Sequence, residues 1–117
     1  MPEFHWAVVK VDLEPVIGSE EGLQRPALIV SNEEANQALP NVTVLPMTTS
    51  PRKLYPAEVI LPAGAGGQPK DSIVMAHQIR TISKRRIIRF YGYLTDAQLR
   101  NAVEEAIMEH LDLFLEE

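Results

Sequence analysis

Residues 95–114 read TDAQLRNAVEEAIMEHLDLF, and this stretch sets how the rest of the chain is interpreted. Its apolar residues recur at spacings of three and four, which is typical of one face of an amphipathic α-helix. Thr95 followed by Gln98 predicts a capping box, and Asp96 in the first turn suits the positive end of the helix dipole. The predicted buried face consists of Leu99, Ala102, Val103, Ala106, Ile107, His110, Leu111 and Phe114.

Upstream of this helix the chain consists of short apolar runs separated by turn residues. Nine prolines and six glycines fall mostly between the runs, as turns require. Many short strands followed by one helix favour a mainly β fold, either a small, partly open barrel or a curled sheet, with the helix packed on it. The predicted strands are 6–13, 26–31, 42–48, 57–61, 72–76, 78–82 and 87–94, with a helical turn at 33–38 and a flexible loop at 62–70.

Composition limits what the chain can be. Its 117 residues and 13.1 kDa suit one domain, which we expect to span 1–117. Without cysteine there is no disulfide, no thiolate nucleophile and no thiolate zinc site. Its apolar runs are about five residues long, far below the roughly 20 that cross a bilayer. The N-terminus lacks a signal-peptide pattern, and we expect a cytoplasmic protein with no membrane association.

The net charge of −5 is unevenly distributed. Residues 96–117 hold seven acids and one base, whereas 72–95 contain no acid. The bases Arg80, Lys84, Arg85, Arg86 and Arg89 form what we call the basic strip. A basic strip of this kind is typical of a solvated strand edge, and it also permits a polyanionic partner.

One polar loop precedes an apolar strand in residues 12–32, DLEPVIGSEEGLQRPALIVSN. Arg25 stands at the root of that strand, where Pro26 restricts the backbone. A guanidinium held in this way presents a planar fork of donors that suits a phosphate. The alternative is that Arg25 only pairs with Glu20 or Glu21 across the loop.

Two further segments carry polar groups next to apolar strands. Residues 44–50, VLPMTTS, end in Thr48 and Thr49, and residues 71–87 read DSIVMAHQIRTISKRRI. One threonine hydroxyl is suited either to donate to a bound oxygen or to satisfy the backbone of its own turn. These residues alone leave both alternatives open.

In this order and spacing, the three segments resemble the MazF/PemK family of toxin endoribonucleases. The resemblance implies a small SH3-like, CcdB/MazF-type β-barrel that works as a homodimer and cleaves single-stranded mRNA at short sequences without ribosome or metal. By position, Arg25 and Thr48 correspond to the catalytic pair. The residues implied in RNA binding are Glu20, Thr49, Gln78 and Arg80, and Thr49 competes with Thr48 for the hydroxyl role.

The implied chemistry is attack of the RNA 2′-hydroxyl on the adjacent phosphorus. Preorganised donors then stabilise the charge that builds on the phosphate oxygens. Glu20 is the candidate general base, although proton transfer is left open because Arg25 stays protonated. His77 is a weaker candidate for RNA contact, and His110 is expected in the core or an interface. No residues have metal-ligand spacing, so we expect no metal and no cofactor.

Partners and alternatives also follow from the resemblance. It implies a cognate antitoxin whose acidic, partly disordered segment covers the basic surface. A CcdB-like fold also permits a non-enzymatic toxin that binds gyrase, since fold does not fix function. A third alternative is an inactive regulator that binds DNA or antitoxin. Trp6-Ala7, where the family often has Gly-Asp, and Glu21, where it often has Gln, keep that alternative open.

Overall fold

The computed structural model describes residues 2–13 and 24–113. Within these ranges the strands are β1 (Ala7–Asp12), β2 (Gln24–Ile29), β3 (Asn41–Thr48), β4 (Glu58–Leu61), β5 (Ser72–Met75), β6 (Arg80–Ser83) and β7 (Ile87–Tyr93). The helices are α1 (Glu33–Ala38) and α2 (Ala97–His110). Short 3-10 turns occupy Ala65–Gly67, Ala76–Gln78 and Lys84–Arg86. Each predicted strand is present, although β6 begins later than predicted because the chain first forms the turn that ends at Gln78.

The strands form one antiparallel sheet with β3 at its centre. The order is β4-β5-β3-β2-β1-β7, and β6 also pairs with β3. On one edge of β3, Met47 pairs with Val74 of β5 and Val44 pairs with Arg80 of β6, while β2 occupies the other edge. These pairings confirm a mainly β fold with a C-terminal helix. Among the described residues no strand pairing joins β4 to β7, so hydrogen bonds do not close the sheet into a ring.

Both faces of the sheet carry buried apolar side chains, because successive residues of a strand point to opposite faces. The cluster beneath α2 includes Val8, Leu28, Leu45, Val103 and Ala106. The cluster on the other face includes Val9, Ala27, Ile29, Val44 and Ile82. The strands are therefore apolar on both faces, so their register depends on how the side chains of each cluster pack, since a slip by one residue would exchange the two clusters.

Helix α2 begins and ends differently from the sequence prediction. Its N-cap is Asp96, whose side chain accepts a hydrogen bond from the backbone N–H of Leu99 at 2.9 Å, so Thr95 is not the cap. An aspartate caps a helix as well as a threonine does, and its charge also complements the helix dipole. Among the described residues of the predicted apolar face, Val103 and Ala106 are buried, and Leu99 and Ile107 are partly buried against the same cluster. Phe114 lies outside the described residues. His110 is exposed in this single chain, so of its two predicted places the core is wrong and the interface stays a prediction.

The segment between β4 and β5 is packed against the sheet. Gly66 and Gly67 both have positive φ, and a Cβ on Gly67 would overlap the carbonyl oxygen of Tyr91 in β7. The loop therefore reaches from the end of β4 to β7, at the opposite end of the strand order. A segment predicted to be a flexible loop thus forms a close backbone contact that only glycine permits.

Trp6 and Glu33 fix the N-terminal segment. Trp6 has φ 68, a left-handed conformation that favours glycine, yet its ring is only 7% exposed and lies beneath the guanidinium of Arg100 at 5.1 Å. The Glu33 carboxylate accepts hydrogen bonds from the backbone N–H groups of Phe4 and His5 at 3.0 and 2.9 Å. Burial raises the pKa of Glu33, but bonds from Gln37 and its other donors outweigh this and lower the pKa to about 2.

The packed glycine loop gives a matched pair of substitutions. Gly67→Ala is expected to lower the free energy of unfolding by roughly 2–4 kcal/mol, because backbone strain adds to the overlap with Tyr91. Gly64 also has positive φ, at 96°, but a Cβ there meets open space. Gly64→Ala should therefore cost only about 1–2 kcal/mol. Urea denaturation of both variants measures the difference, and equal losses would contradict the packing of the loop on β7.

Candidate active site

The pairing of β2 with β3 places Arg25 and Thr48 at the same end of the sheet. Ala27 pairs with Pro46 and Ile29 pairs with Val44 in an antiparallel register, so the start of β2 runs beside the end of β3. Beyond these pairs Arg25 pairs with Val11 of β1, and Thr48 pairs with Ile73 of β5. The two predicted catalytic residues therefore lie near neighbouring strand ends, one at the start of β2 and the other at the end of β3.

The Thr48 hydroxyl both supports its own turn and keeps a donor. Its Oγ1 accepts a hydrogen bond from the backbone N–H of Ser50 at 3.3 Å. A hydroxyl that accepts such a bond retains its own proton for donation. The bond also orients the oxygen at the strand end, so the backbone role and the donor role are compatible at Thr48.

A cavity of about 460 Å³ opens beside Thr48. It is bounded by the residues after β3, by β4 and by the start of β5. Its lining offers hydroxyls, two cations, one carboxylate and an apolar floor, which together suit a polar aromatic ligand such as a nucleobase. The lining residues are Thr48, Thr49, Ser50, Pro51, Arg52, Ile60, Lys70, Asp71, Ser72 and Ile73.

Sequence reasoning missed three charged members of this cavity. Arg52 and Lys70 lie in or next to the irregular segments around β4, and nothing in the sequence indicates that these segments meet. Asp71 opens the DSIV segment, and its carboxylate accepts a hydrogen bond from the backbone N–H of Ala63 at 2.8 Å. The DSIV motif is the sequence feature that pointed towards this cavity. Because β5 pairs with β3 at Thr48, the first residues of the motif lie beside the cavity.

The remaining predicted RNA-binding residues are more dispersed. Thr49 is exposed and lines the cavity beside Thr48. Gln78 and Arg80 are exposed along the same edge of β3 but do not line the cavity. Arg80 lies opposite Val44, four residues from Thr48, which corresponds to roughly 13 Å along the strand. Glu20 lies outside the described residues.

A buried carboxylate lies behind the cavity wall. Glu58, at the start of β4, accepts two hydrogen bonds from the Arg52 guanidinium, at 2.8 and 2.7 Å. The backbone N–H of Tyr55 donates to it at 2.8 Å, and His77 Nε2 lies 2.7 Å away. The Arg52 hydrogen bonds are the largest cause of a pKa lowered to about 2, against the opposing effect of burial. Since an ionised carboxylate only accepts, His77 donates from Nε2.

The histidines do not line the cavity. His77 contacts His110 of α2 edge to face, with 6.5 Å between ring centroids, so the two residues form a pair that the sequence did not indicate. His5 instead stacks on Trp6, with 4.9 Å between centroids. His77 Nε2 is engaged by Glu58, so this nitrogen could bind RNA, as predicted, only if it gave up that hydrogen bond.

The basic strip follows β6, the Lys84–Arg86 turn and β7. The sequence analysis gave a solvated strand edge as one explanation of this strip. Strand β7 lies at one end of the strand order, which agrees with that explanation. Two of its cations lie over aromatic rings, Lys84 over Phe4 at 4.9 Å and Arg89 over Tyr91 at 4.9 Å. Arg86 donates to the backbone carbonyl of Asp12 at 3.2 Å. Part of the strip thus fastens the sheet.

Within residues 2–13 and 24–113, no three histidine or acidic side chains lie close enough to hold a metal ion. No helix in the same part of the chain has the length and apolarity needed to cross a bilayer.

The chain belongs to a family of toxins. The sequence model of the PemK-like, MazF-like toxins of type II toxin-antitoxin systems matches residues 5–111. This match covers nearly the whole chain, including the strands that carry Arg25 and Thr48. The family named from the sequence motifs is therefore confirmed.

Individual relatives agree with the family. The chain is 40% identical over 110 residues to endoribonuclease MazF9 of Mycobacterium tuberculosis, covering 90% of this chain and 92% of the relative. It is 36% identical over 103 residues to endoribonuclease EndoA of Bacillus subtilis, covering 87% and 88%. A solved mycobacterial endoribonuclease in complex with its cognate antitoxin superposes with a TM-score of 0.79 at 25% identity, covering 99% of this chain and 100% of that one.

The two low-pKa glutamates predict a loss of stability in acid. The pKa of Glu33 and that of Glu58 are each lowered from 4.5 to about 2, so folding favours the ionised forms. Their contribution is complete above the unfolded pKa and is lost as the pH falls towards 2. We expect the urea midpoint to fall from pH 4.5 downwards, and less steeply in Glu33→Gln and Glu58→Gln. If the urea midpoints of both variants fall with pH as steeply as that of the wild type, the lowered pKa values of Glu33 and Glu58 are contradicted.

Proposed function

We propose that this chain is the toxin of a type II toxin-antitoxin system and a sequence-specific endoribonuclease that cleaves single-stranded mRNA without ribosome or metal. One observation supports the proposal most: in a member of the MazF-like toxin family, the strand ends that carry Arg25 and Thr48 lie at the same end of the sheet, and a cavity large enough for a nucleobase opens beside Thr48. The names of two relatives, MazF9 and EndoA, both describe endoribonucleases.

In the proposed reaction the RNA supplies its own nucleophile. The 2′-oxygen attacks the adjacent phosphorus and loses its proton to a base, while the bond to the 5′-oxygen breaks and that oxygen gains a proton. The product ends in a 2′,3′-cyclic phosphate. Arg25 donates two hydrogen bonds to the nonbridging oxygens and Thr48 donates one, and both bonds strengthen as negative charge develops.

We assign the cavity to a base next to the scissile phosphate. Lys70 supplies a donor and Asp71 an acceptor, and these groups suit the edge of an unpaired base. Apolar contact with Ile60 and Ile73 suits its ring face. Gln78 and Arg80 bind the strand further along β3, and Thr49 contributes at the cavity rim.

The proposed assembly extends beyond one chain. The whole of 1–117 forms one domain, a partly open barrel in which the packed loop 62–70 takes the place of strand pairing between β4 and β7. Two copies form a homodimer in the cytoplasm, and an acidic antitoxin segment covers the basic surface. A solved relative from Deinococcus radiodurans is likewise a MazE-MazF complex, which supports an antitoxin partner here.

Loss of Arg25 tests the electrostatic role. Arg25→Ala is expected to lower the cleavage rate of a mixed-sequence RNA by about 10²–10³. Arg85→Ala removes an equal charge from an exposed turn, and we expect its rate to stay within about threefold of wild type. The assay contains excess EDTA and a second strand with a 2′-deoxy substitution at the cleavage site, which should resist cleavage.

Each outcome of that assay has a distinct meaning. Unchanged cleavage by Arg25→Ala removes Arg25 from the mechanism. Cleavage that requires added divalent metal, or that proceeds at the 2′-deoxy site, contradicts the proposed reaction. Inhibition of gyrase by a protein that leaves RNA intact selects the alternative toxin class.

Substitutions of the two adjacent threonines resolve which hydroxyl acts. Thr48→Val keeps the shape of the side chain but removes the donor, and we expect kcat to fall by about 10²-fold or more. Thr48→Ser keeps the hydroxyl and should retain most of the activity. Thr49→Val is the neighbouring control and is expected to change KM more than kcat, because Thr49 lies at the rim. If Thr49→Val lowers kcat more than Thr48→Val does, the catalytic hydroxyl is that of Thr49.

A further inference from the structure

The Glu58 carboxylate is completely buried and holds together parts of the chain that are far apart in sequence. Its side chain is 0% exposed, and its partners are Arg52, Tyr55 and His77. The His77 contact spans 19 positions of sequence. Both carboxylate oxygens are therefore occupied, one by Arg52 and Tyr55 and the other by Arg52 and His77.

The two groups of partners belong to two parts of the proposed RNA surface. Arg52 lines the cavity together with Thr49 and Ser50. His77 lies in the Ala76–Gln78 turn, directly before Gln78. The backbone N–H of Ala76 also donates to the carbonyl of Ala57 at 3.0 Å, which brings this turn next to Glu58. One carboxylate thus connects the cavity wall with the turn that presents Gln78.

The wall needs such a contact because it lacks strand structure. Residues 49–57 lie between β3 and β4 and pair with no strand in the described sheet. A bidentate arginine–carboxylate pair fixes both the distance and the plane of the guanidinium. Removing a carboxylate from water is costly, and an apolar side chain often stabilises a fold equally well. The arrangement at Glu58 therefore suits orientation of the wall better than it suits stability alone.

We propose that Glu58 is a positioning residue for RNA binding, which holds the Thr49–Arg52 wall of the cavity in a fixed relation to the His77–Gln78 turn. This inference rests on the proposed endoribonuclease function. Glu58 touches neither the phosphate nor the reacting atoms in this scheme, so it acts through Arg52 and His77. Loss of the carboxylate should weaken substrate binding while leaving the Arg25–Thr48 pair in place.

Simple electrostatics predicts the opposite result, which makes the test sharp. Glu58→Gln removes a negative charge close to the cavity and frees the Arg52 cation. More positive charge strengthens binding to a polyanion. If Glu58 acts only through its charge, KM therefore falls. If it positions the wall, KM rises by about tenfold while kcat changes less than about twofold.

Two control variants separate charge and stability from position. Glu34→Gln makes the same change of charge at an exposed site in α1. Glu33→Gln removes the other low-pKa carboxylate, which holds backbone N–H groups of Phe4 and His5 rather than the cavity wall. We expect both controls to keep KM within about twofold of wild type, although Glu33→Gln should lower the urea midpoint.

The experiment measures kcat and KM on a mixed-sequence RNA, the distribution of cleavage sites, and the dissociation constant of a 2′-deoxy strand that resists cleavage. Glu58→Gln is expected to raise KM and the dissociation constant and to broaden the distribution of sites. A KM that is unchanged, or lowered as the charge effect predicts, overturns the proposal. A change in KM matched by Glu33→Gln at equal loss of stability also overturns it.

Arg52→Lys serves where Glu58→Gln fails to fold. It keeps the charge but loses the planar fork, and we expect the same direction of change in KM and in the dissociation constant. Wild-type protein that binds the strand but cuts no RNA refutes the proposed function, and the dissociation constants of the variants then still test the positioning role. Wild-type protein that neither binds nor cuts refutes both.

Discussion

The antiparallel register between β2 and β3 is the constraint on which the candidate site depends. Pairing of Ala27 with Pro46 brings the start of β2 beside the end of β3. Any slip by one residue would exchange the two apolar clusters and carry the guanidinium to the other face. Packing of the two apolar clusters thereby fixes which end of the sheet carries both Arg25 and Thr48.

The C-terminal helix contributes to this constraint from outside the sheet. Val103 and Ala106 pack on the same cluster as Leu28 and Leu45, so α2 covers one face of the sheet. The other face has its own buried cluster, which includes Ala27 and Val44. The acids of residues 96–117 and the bases of the basic strip are also separate in the sequence, so a chain of net charge −5 still contains a basic stretch.

Local patterns predicted the strands and helices well, because alternation, helical spacing and turn residues act over short distances. They failed where a contact is distant in sequence. The N-cap of α2 is Asp96 and not Thr95, because both of these adjacent residues are able to cap a helix. Trp6 adopts a glycine-like φ because its buried ring and Arg100 offset the strain. The Glu58 network joins residues 19 positions apart, and no motif in the sequence indicates that pairing.

The candidate site is organised at two levels, and each level has a different physical basis. Backbone pairing fixes the strand ends that carry Arg25 and Thr48, since Arg25 pairs with Val11 and Thr48 pairs with Ile73. Residues 49–57, which include the Thr49–Arg52 wall of the cavity, have no such pairing among the described strands. Side chains around the buried Glu58 carboxylate contact this segment instead. Loops positioned by a rigid scaffold are where recognition varies most readily. In the proposed scheme the reaction therefore depends on the sheet, whereas the choice of base depends on the wall that Glu58 is proposed to hold.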